Sequence, residues 1–257
     1  VSRRPYKTRP LWWLIRKPHP AFEGHRGGHS QGCPGLPIAI RVSIFDTIPF
    51  RPGPDGNGGV PEKVPEGAPY RWGFGVDMAN PTEGDLSEGK KLLGLLQELG
   101  IELVNLSAGS PYYNPHLQRP ALYPPSDGYL PPEDPLESVI RHLQATHALK
   151  REFPGLVITG SALSYLQDYL PHVAQAVVRA GWIDAVGLGR MVLSYPELPR
   201  DTLEAGEIRR KRVCRTFSDC TTAPRHGLPS GCFPLDDFYK KLPAAAELQQ
   251  IKQRLSS

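Results

Sequence analysis

The sequence predicts an α/β protein built from four strand–helix units, half the number found in a (β/α)8 barrel. Two observations predict this fold class. From residue 34 onward, short apolar runs alternate with segments whose leucines and valines recur at helical spacing. Two late runs, Leu156-Val-Ile-Thr-Gly160 and Ala185-Val-Gly-Leu-Gly-Arg190, end in glycine next to a small or basic residue, as the phosphate-binding strands of such a barrel do.

The four predicted strands are short runs of mainly apolar residues bounded by turn-forming residues. They cover residues 37–43, 101–107, 156–160 and 183–188. A helix is expected after each of the first three. Four units need only about half of the roughly 250 residues of a whole barrel, so the sequence predicts a partial one.

The first predicted helix begins at Asp85, where Glu88 completes a capping box, and it ends at Gly100. The second helix carries the apolar face of Leu136, Val139, Ile140 and Leu143.

The third predicted helix begins at a second capping box, Ser164-Tyr-Leu-Gln167, and ends at Gly181. Pro171 is expected to bend it.

Two long loops, residues 45–84 and 110–134, interrupt this pattern. Loops of this length in compact domains are usually binding loops or lids. The second loop carries Tyr112, Tyr113 and His116, which either shape a substrate pocket or pack on the surface of a proline-rich loop.

The basic character of the chain is confined to its first 33 residues. That segment carries seven basic residues and one acidic residue, whereas the rest carries 23 basic and 25 acidic residues. We therefore divide the chain into an irregular basic segment (1–33), the barrel part (34–200) and a cysteine-containing tail with a C-terminal helix (201–257). A general nucleic-acid-binding surface is not expected.

Few cysteines and no apolar run of 18 residues predict a cytoplasmic protein without a membrane span. The abrupt change of pattern near Cys33 suggests either a truncated or frame-shifted sequence, or a divergent segment.

Gly189 and Arg190 are the strongest candidates for an anion site. Glycine lets a backbone N–H approach an anion closely, and arginine adds a fixed charge and a fork of donors. Gly160, at the end of the preceding strand, has the same setting. The alternative is that both glycines only form turns.

Three motifs in this order resemble the Old Yellow Enzyme family of NADH:flavin oxidoreductases, in the branch of 2,4-dienoyl-CoA reductase and trimethylamine dehydrogenase. They are Ile40-Arg-Val-Ser43, Val104-Asn-Leu-Ser-Ala-Gly109 and Val186-Gly-Leu-Gly-Arg190. The resemblance covers residues 34–240 and corresponds to the C-terminal half of that family's TIM barrel.

The resemblance implies FMN as cofactor, held at its phosphate by Gly160, Ser161, Gly189 and Arg190. It also implies that Arg41 faces the flavin pyrimidine, where a positive charge favours the reduced state. Alternatively, Arg41 pairs with a buried carboxylate.

The implied reaction passes a hydride from NAD(P)H through the flavin to an α,β-unsaturated carbonyl or an enoyl thioester. The family's proton donor and substrate-binding pair lie upstream of Arg41 and have no match here, so no catalytic residue is assigned.

Cys214, Cys220 and Cys232 resemble the cysteine pattern of the family's iron–sulfur members, with Phe217 in place of a fourth cysteine. A [4Fe–4S] cluster needs four ligands, so we expect neither a cluster nor another metal site.

Two alternatives to the flavin enzyme remain. One is a non-catalytic half-barrel that binds phosphate or FMN weakly or only forms oligomers, since open sheet edges favour association. The other is a different phosphate-binding barrel enzyme, such as an aldolase or isomerase, which would need a lysine or glutamate at a strand end. The strand ends offer neither.

Overall fold

The computed structural model of the protein describes residues 36–54, 56, 58–65, 67–125 and 128–256. The basic segment 1–33 and its prediction lie outside this part of the chain. A parallel sheet of four strands packs against helices, which confirms the α/β class.

The four-stranded sheet and a separate two-stranded hairpin contain these strands: β1 (Ala39–Ser43), β2 (Phe50–Pro52), β3 (Gly59–Pro61), β4 (Leu103–Ser107), β5 (Val157–Gly160) and β6 (Ala185–Val186). The α-helices are α1 (Ser87–Glu98), α2 (Pro115–Gln118), α3 (Pro135–Glu152), α4 (Leu170–Arg179), α5 (Leu198–Arg200), α6 (Asp219–Arg225), α7 (Asp237–Lys240) and α8 (Pro243–Ser256). Short 3-10 segments cover Leu163–Tyr169, Arg190–Leu193 and Arg210–Arg212, and a π-helical turn covers Asp201–Ala205.

The strands of the parallel sheet lie in the order β1-β4-β5-β6. Their order in the sheet is thus the same as their order in the sequence, and the sheet grows in one direction only. All four predicted strands are present, each shorter than predicted. The last is shortest, because beyond Val186 the chain donates only the Gly187 N–H to the Gly160 carbonyl, at 2.8 Å, before leaving the sheet.

The two faces of the sheet differ in chemistry because side chains alternate along a strand. One face packs its apolar residues against α1 and α3, and its buried core includes Leu93, Leu96, Leu106, Leu149 and Ile158. The other face carries Arg41 and Asn105 side by side in register. One side of the sheet therefore carries polar side chains.

The capping box predicted at Asp85 does not form. The Asp85 carboxylate accepts the Ser87 N–H at 2.5 Å, but the Asp85 N–H already donates to the Gly75 carbonyl. Glu88 instead accepts the Gly75 N–H at 2.7 Å. Glu88 therefore ties the helix start to the preceding loop.

The third helix also begins differently from the prediction. The chain forms a 3-10 segment over Leu163–Tyr169, and Gln167 within it has a positive φ of 50°, which breaks the predicted capping box. α4 starts only at Leu170, so Pro171 lies in its first turn. Proline is compatible with that position because no intrahelical N–H is needed there, and Pro171 starts a helix where a bend was predicted.

The two long loops pack on each other beside the sheet. The Phe50 N–H donates to the Tyr113 carbonyl at 2.7 Å, and the Gly59 N–H donates to the Leu130 carbonyl at 2.8 Å. A Cβ on Gly59 would lie 2.3 Å from the ring of Tyr129, so only glycine lets this ring approach.

The tail is joined to the barrel part by buried polar contacts. The Tyr195 hydroxyl donates to Asp201 at 2.6 Å and accepts the Arg209 N–H at 2.8 Å. Within the tail itself, Lys252 of α8 donates to the buried Asp219 of α6 at 2.8 Å. Among the helices within the described ranges, none is long and apolar enough to span a membrane.

Candidate functional site

A cavity of about 590 Å³, which we call the main cavity, lies on the polar face of the sheet near the carboxyl ends of the strands. It brings together four of the residues predicted to bind the cofactor: Arg41, Ser161, Gly189 and Arg190. Arg41 is on β1, Ser161 follows β5, and Gly189 and Arg190 follow β6. Parallel strands place these chain ends at one edge, which is why distant residues meet here.

Asn105 forms the floor of the main cavity. It is the polar residue within an otherwise apolar stretch of β4, and its side-chain oxygen accepts the Ser161 hydroxyl at 3.0 Å. A Cβ on Gly187 would lie 2.8 Å from Asn105 Nδ2 and 3.2 Å from Thr159 Cγ2. Gly187 is therefore needed to give Asn105 room.

Gly189 presents open space to the cavity. A Cβ built on it would meet no protein atom within 4 Å. Because nothing in the described protein covers this position, a ligand atom can approach the backbone closely. The space that a side chain would fill is thus available to a ligand.

Arg190 is half-buried beside Gly189 and is held by neutral oxygens. Its guanidinium donates to Thr221 Oγ1 at 2.7 Å and to Gln118 Oε1 at 3.4 Å. Burial, followed by the positive charge of Arg119, lowers the pKa of Arg190 to about 10. Arg190 stays charged at neutral pH, and a nearby anion would stabilise it.

The main cavity is strongly basic. Arg41, Arg119 and Arg190 all line it, and no aspartate or glutamate of the described residues does. An anionic ligand is the occupant that this arrangement favours.

Gly160 has a different environment from the other predicted cofactor residues. It does not line the main cavity, and its carbonyl accepts the Gly187 N–H. A Cβ on Gly160 would lie 3.1 Å from two carbon atoms of Ile183. Close packing against Ile183 is the role that the contacts of Gly160 support.

The loop after β5 carries backbone strain next to the cavity. Ala162 lines the cavity with a φ of 73°, in the left-handed region that costs a non-glycine residue about 1 kcal/mol or more. Strain of this kind concentrates at ligand sites.

The three predicted substrate-pocket residues are not brought to the main cavity. Tyr112 and Tyr113 are exposed, by 81% and 54%. His116 is buried, and its Nδ1 lies 2.8 Å from the Tyr129 hydroxyl. Burial lowers the pKa of His116 to about 4, so the ring is neutral at pH 7.

His116 lines a second and smaller cavity of about 30 Å³, which we call the side cavity. Its walls are mainly prolines and Tyr129, and its basic residues are Arg119, Arg190 and Arg225. Arg119 and Arg190 line both cavities, so the two cavities are neighbours.

The cysteines of the tail are free thiols. Cys214 is buried, and its N–H donates to the Met191 sulfur at 3.2 Å. Burial raises the pKa of the Cys232 thiol to about 11. Within the described ranges, no three His, Cys, Asp or Glu side chains are grouped so that they could hold a metal ion.

Three site residues were not predicted from the sequence: Asn105, Arg119 and Thr221. Asn105 could have been found from the sequence, because it is a polar residue between the apolar residues Val104 and Leu106 of one strand. Arg119 lies in a proline-rich loop without periodicity, and Thr221 lies 31 residues from Arg190, so only the fold reveals them.

Comparisons with protein-family models, with curated proteins and with solved structures found no match to this chain. The resemblance to flavin oxidoreductases, which rests on the three motifs, therefore stays a prediction.

Proposed function

We propose that this chain binds FMN in the main cavity and acts as an FMN-dependent oxidoreductase. NAD(P)H would be the reductant, and an α,β-unsaturated carbonyl or an enoyl thioester would be the acceptor. The single observation that carries the proposal is the pairing of Gly189, open to solvent, with Arg190, whose guanidinium donates to the neutral oxygens of Thr221 and Gln118. Together they offer a phosphate close backbone approach and a charged donor fork.

The size and composition of the main cavity support the same proposal. Its volume of about 590 Å³ lies in the range of roughly 300–1,000 Å³ that cofactor pockets occupy. Arg41 and Asn105 lie side by side on the sheet and can donate to the acceptor atoms of a heterocycle above them.

The order of the strands supports a barrel as the larger architecture. In a doubly wound sheet the strand order reverses at a switch point, whereas here it runs in one direction. Helices α1 and α3 pack on one face, and the polar residues lie on the other. Four such units correspond to one half of a TIM barrel.

The chain's own residues would bind, orient and polarise the cofactor. Bound FMN supplies a carrier that accepts a hydride and passes it on. Arg190 and Gly189 would anchor its phosphate end, and Asn105, fixed by the Ser161 hydroxyl, would orient its ring. Arg41 would stabilise negative charge on the reduced ring.

Titration of the protein into FMN tests binding through quenching of flavin fluorescence. We expect saturable quenching at micromolar concentration. Arg190→Ala should weaken binding by about tenfold or more, because a charged hydrogen bond contributes roughly 1.5–3 kcal/mol. Arg210→Ala is the matched control, since Arg210 is 76% exposed and pairs with Asp168 outside the cavity.

Equal weakening in both variants, or no saturation with the native chain, would overturn the flavin site. If binding holds, NADH and NADPH should each be tested for bleaching of the flavin absorbance without oxygen. Return of the absorbance on adding cyclohexenone would identify the acceptor class. Failure of both nucleotides to bleach it would contradict the oxidoreductase.

A second candidate function is assembly with another copy of the chain. In the part of the chain that the structure describes, β1 pairs only with β4, and β6 pairs only with β5. Open strand edges favour association. Light scattering that gives twice the monomer mass, together with absence of FMN binding, would favour a non-catalytic assembly.

A further inference from the structure

The tail contains a cavity of its own, which we call the tail cavity. It has a volume of about 490 Å³ and lies between Asp219 of α6, Lys240 of α7 and Lys252 of α8. Cavities that bind small molecules measure roughly 300–1,000 Å³. Among the residues that the structure describes, none lines both the tail cavity and the main cavity, so the tail cavity is a separate place for a ligand.

Most of the wall of the tail cavity is apolar, and it includes two phenyl rings. Phe217 and Phe233 line the cavity together with Pro234 and two alanines of α8. Phe217 stays partly exposed, although it stacks on Tyr123 with ring centres 5.8 Å apart. Aromatic rings attract one another by offset stacking or by edge contact. The wall therefore favours a ligand with a flat aromatic body.

The part of the wall formed by Phe233 is fixed before any ligand binds. Phe233 is buried and packs edge-on against Tyr239, with ring centres 5.6 Å apart. A Cβ on Gly231 would overlap the Tyr239 ring, so glycine is needed to let this ring take its place. A fixed wall and a rigid ligand both reduce the entropy that binding costs.

The charged groups of the tail cavity favour an anion. Within the described part of the lining, Asp219 is the one carboxylate, and it is buried and accepts Lys252 Nζ at 2.8 Å. Lys240 is the second ammonium of the lining. It lies 3.2 Å from Asp237, whose side chain is 84% exposed and is not part of the lining. Exposed pairs of this kind contribute little to stability, so the Lys240 ammonium can turn to a ligand instead.

The same groups limit the charge of the ligand to about one. A carboxylate carries one negative charge at pH 7, which the ammonium of Lys240 can neutralise. A phosphate group carries a charge of about −1.5 to −2 and would place the excess near the buried Asp219. Like charges repel most strongly where water is scarce. A carboxylate therefore suits the tail cavity better than a phosphate.

We infer that the tail cavity binds an aromatic monocarboxylate, with its ring against Phe217 and Phe233 and its carboxylate at the ammonium of Lys240. The inference rests on the residues of the tail alone and does not depend on the flavin proposal.

The probe for the test is 6-fluoro-2-naphthoate, whose fluorine resonance broadens on binding. The neutral 6-fluoro-2-naphthamide has nearly the same shape and is the matched ligand control. We expect saturable broadening with the naphthoate, and binding of the amide that is weaker by about fivefold or more. Equal affinity for the two probes, or no saturation with the naphthoate, would overturn the inference.

Lys240→Gln tests the charged contact. It should weaken naphthoate binding by about threefold or more, because the ammonium that faces the carboxylate is lost. Lys241→Gln is the matched control, since Lys241 is the neighbouring exposed lysine and does not line the cavity. Equal weakening in both variants would reveal only a general attraction to basic residues and would overturn the site.

Ala246→Phe tests the location by filling the cavity. Ala246 is exposed on α8 and lines the cavity, so a larger side chain there takes the ligand's space without disturbing the core. Naphthoate binding should be lost. Gln250→Phe, exposed on the same helix and outside the lining, should bind as the native chain does, and urea unfolding checks that both variants are folded. Unchanged binding in Ala246→Phe would overturn the location.

Competitors complete the experiment. Saturating FMN should leave the naphthoate bound, and its displacement would place the probe in the main cavity. 2-Naphthyl phosphate and decanoate should each displace the probe less well than 2-naphthoate does; the reverse order for either would overturn the ligand class. An affinity that falls as the protein concentration rises would show that a second copy of the chain covers the cavity, which would also overturn the inference. If the protein binds no FMN, the naphthoate result still decides the tail cavity.

Discussion

At the scale of single residues, three glycines of the strand ends have three different roles. A Cβ on Gly160 would press on Ile183, a Cβ on Gly187 would press on Asn105, and a Cβ on Gly189 would meet nothing. From the sequence, Gly160 and Gly189 look alike, since both end an apolar run. Their surroundings come from other elements, so the sequence alone could not separate packing from ligand contact.

This difference predicts how alanine acts at two of these positions. Gly187→Ala should lower the free energy of unfolding by about 1–3 kcal/mol, because its Cβ overpacks the space that Asn105 and Thr159 occupy. Gly189→Ala should lower it by much less and should weaken FMN binding instead, because its Cβ fills the space left for the ligand. Urea unfolding and the flavin titration measure the two effects; equal loss of stability in both variants would contradict this assignment.

At the scale of elements, the parallel strands were predictable and the helix starts were not. Apolar runs such as Ile101–Leu106 are recognisable because a strand buried by helices needs apolar side chains. A capping pattern such as Asp85–Glu88 shows which side chains could accept the free N–H groups of a helix start. It does not show which N–H groups they accept in the folded protein. Here the Gly75 N–H, far along the loop, binds Glu88 instead, and tertiary contact overrides the local pattern.

The docking of α2 on α3 is also an element-scale feature, and it predicts acid sensitivity. His142 on α3 donates from Nε2 to the Leu117 carbonyl on α2 at 2.7 Å, and His116 on α2 bonds to Tyr129. Burial is the main cause that lowers the pKa of each histidine from 6.5 to about 4. The folded protein therefore keeps both rings neutral where the unfolded chain binds protons.

The contribution of these two histidines to the free energy of unfolding should be fully present above pH 6.5 and should be lost as the pH falls toward 4. Between these two pH values, each histidine that stays neutral in the folded protein makes the free energy of unfolding fall by about 1.4 kcal/mol for each unit by which the pH is lowered. Urea unfolding between pH 7.5 and 4.5 measures the slope. His142→Gln, which cannot titrate there, should reduce it by about half; an unchanged slope would show that other groups cause the acid sensitivity.

At the scale of the whole molecule, charge is unevenly distributed. The sequence puts the net positive charge in residues 1–33, yet the fold gathers Arg41, Arg119 and Arg190 around one cavity. These three are far apart in the sequence, and only the parallel order of the strands brings Arg41 and Arg190 near each other. Four of the five residues predicted to bind a cofactor line this cavity, whereas Arg119, which also lines it, was not predicted.

The basic cavity predicts a specific dependence on salt. Raising sodium chloride from 50 to 300 mM should weaken FMN binding by about threefold or more, because ions screen the attraction between the arginines and the phosphate. Riboflavin lacks the phosphate, so its weaker binding should change little over the same range. Parallel behaviour of FMN and riboflavin in a fluorescence titration would argue against a phosphate site at Arg190.

The last helix supports Arg190 indirectly, although it does not line the main cavity. Arg190 rests on Thr221 of α6, and α6 is fixed through Asp219 to Lys252 of α8. A protease that cleaves the chain just before α8 would therefore remove the support of α6 and weaken anion binding at Arg190. Every residue that lines the main cavity would still be present. During storage of the purified protein, slow loss of that terminal segment would then appear as a gradual loss of ligand binding in a sample that still contains every residue of the cavity.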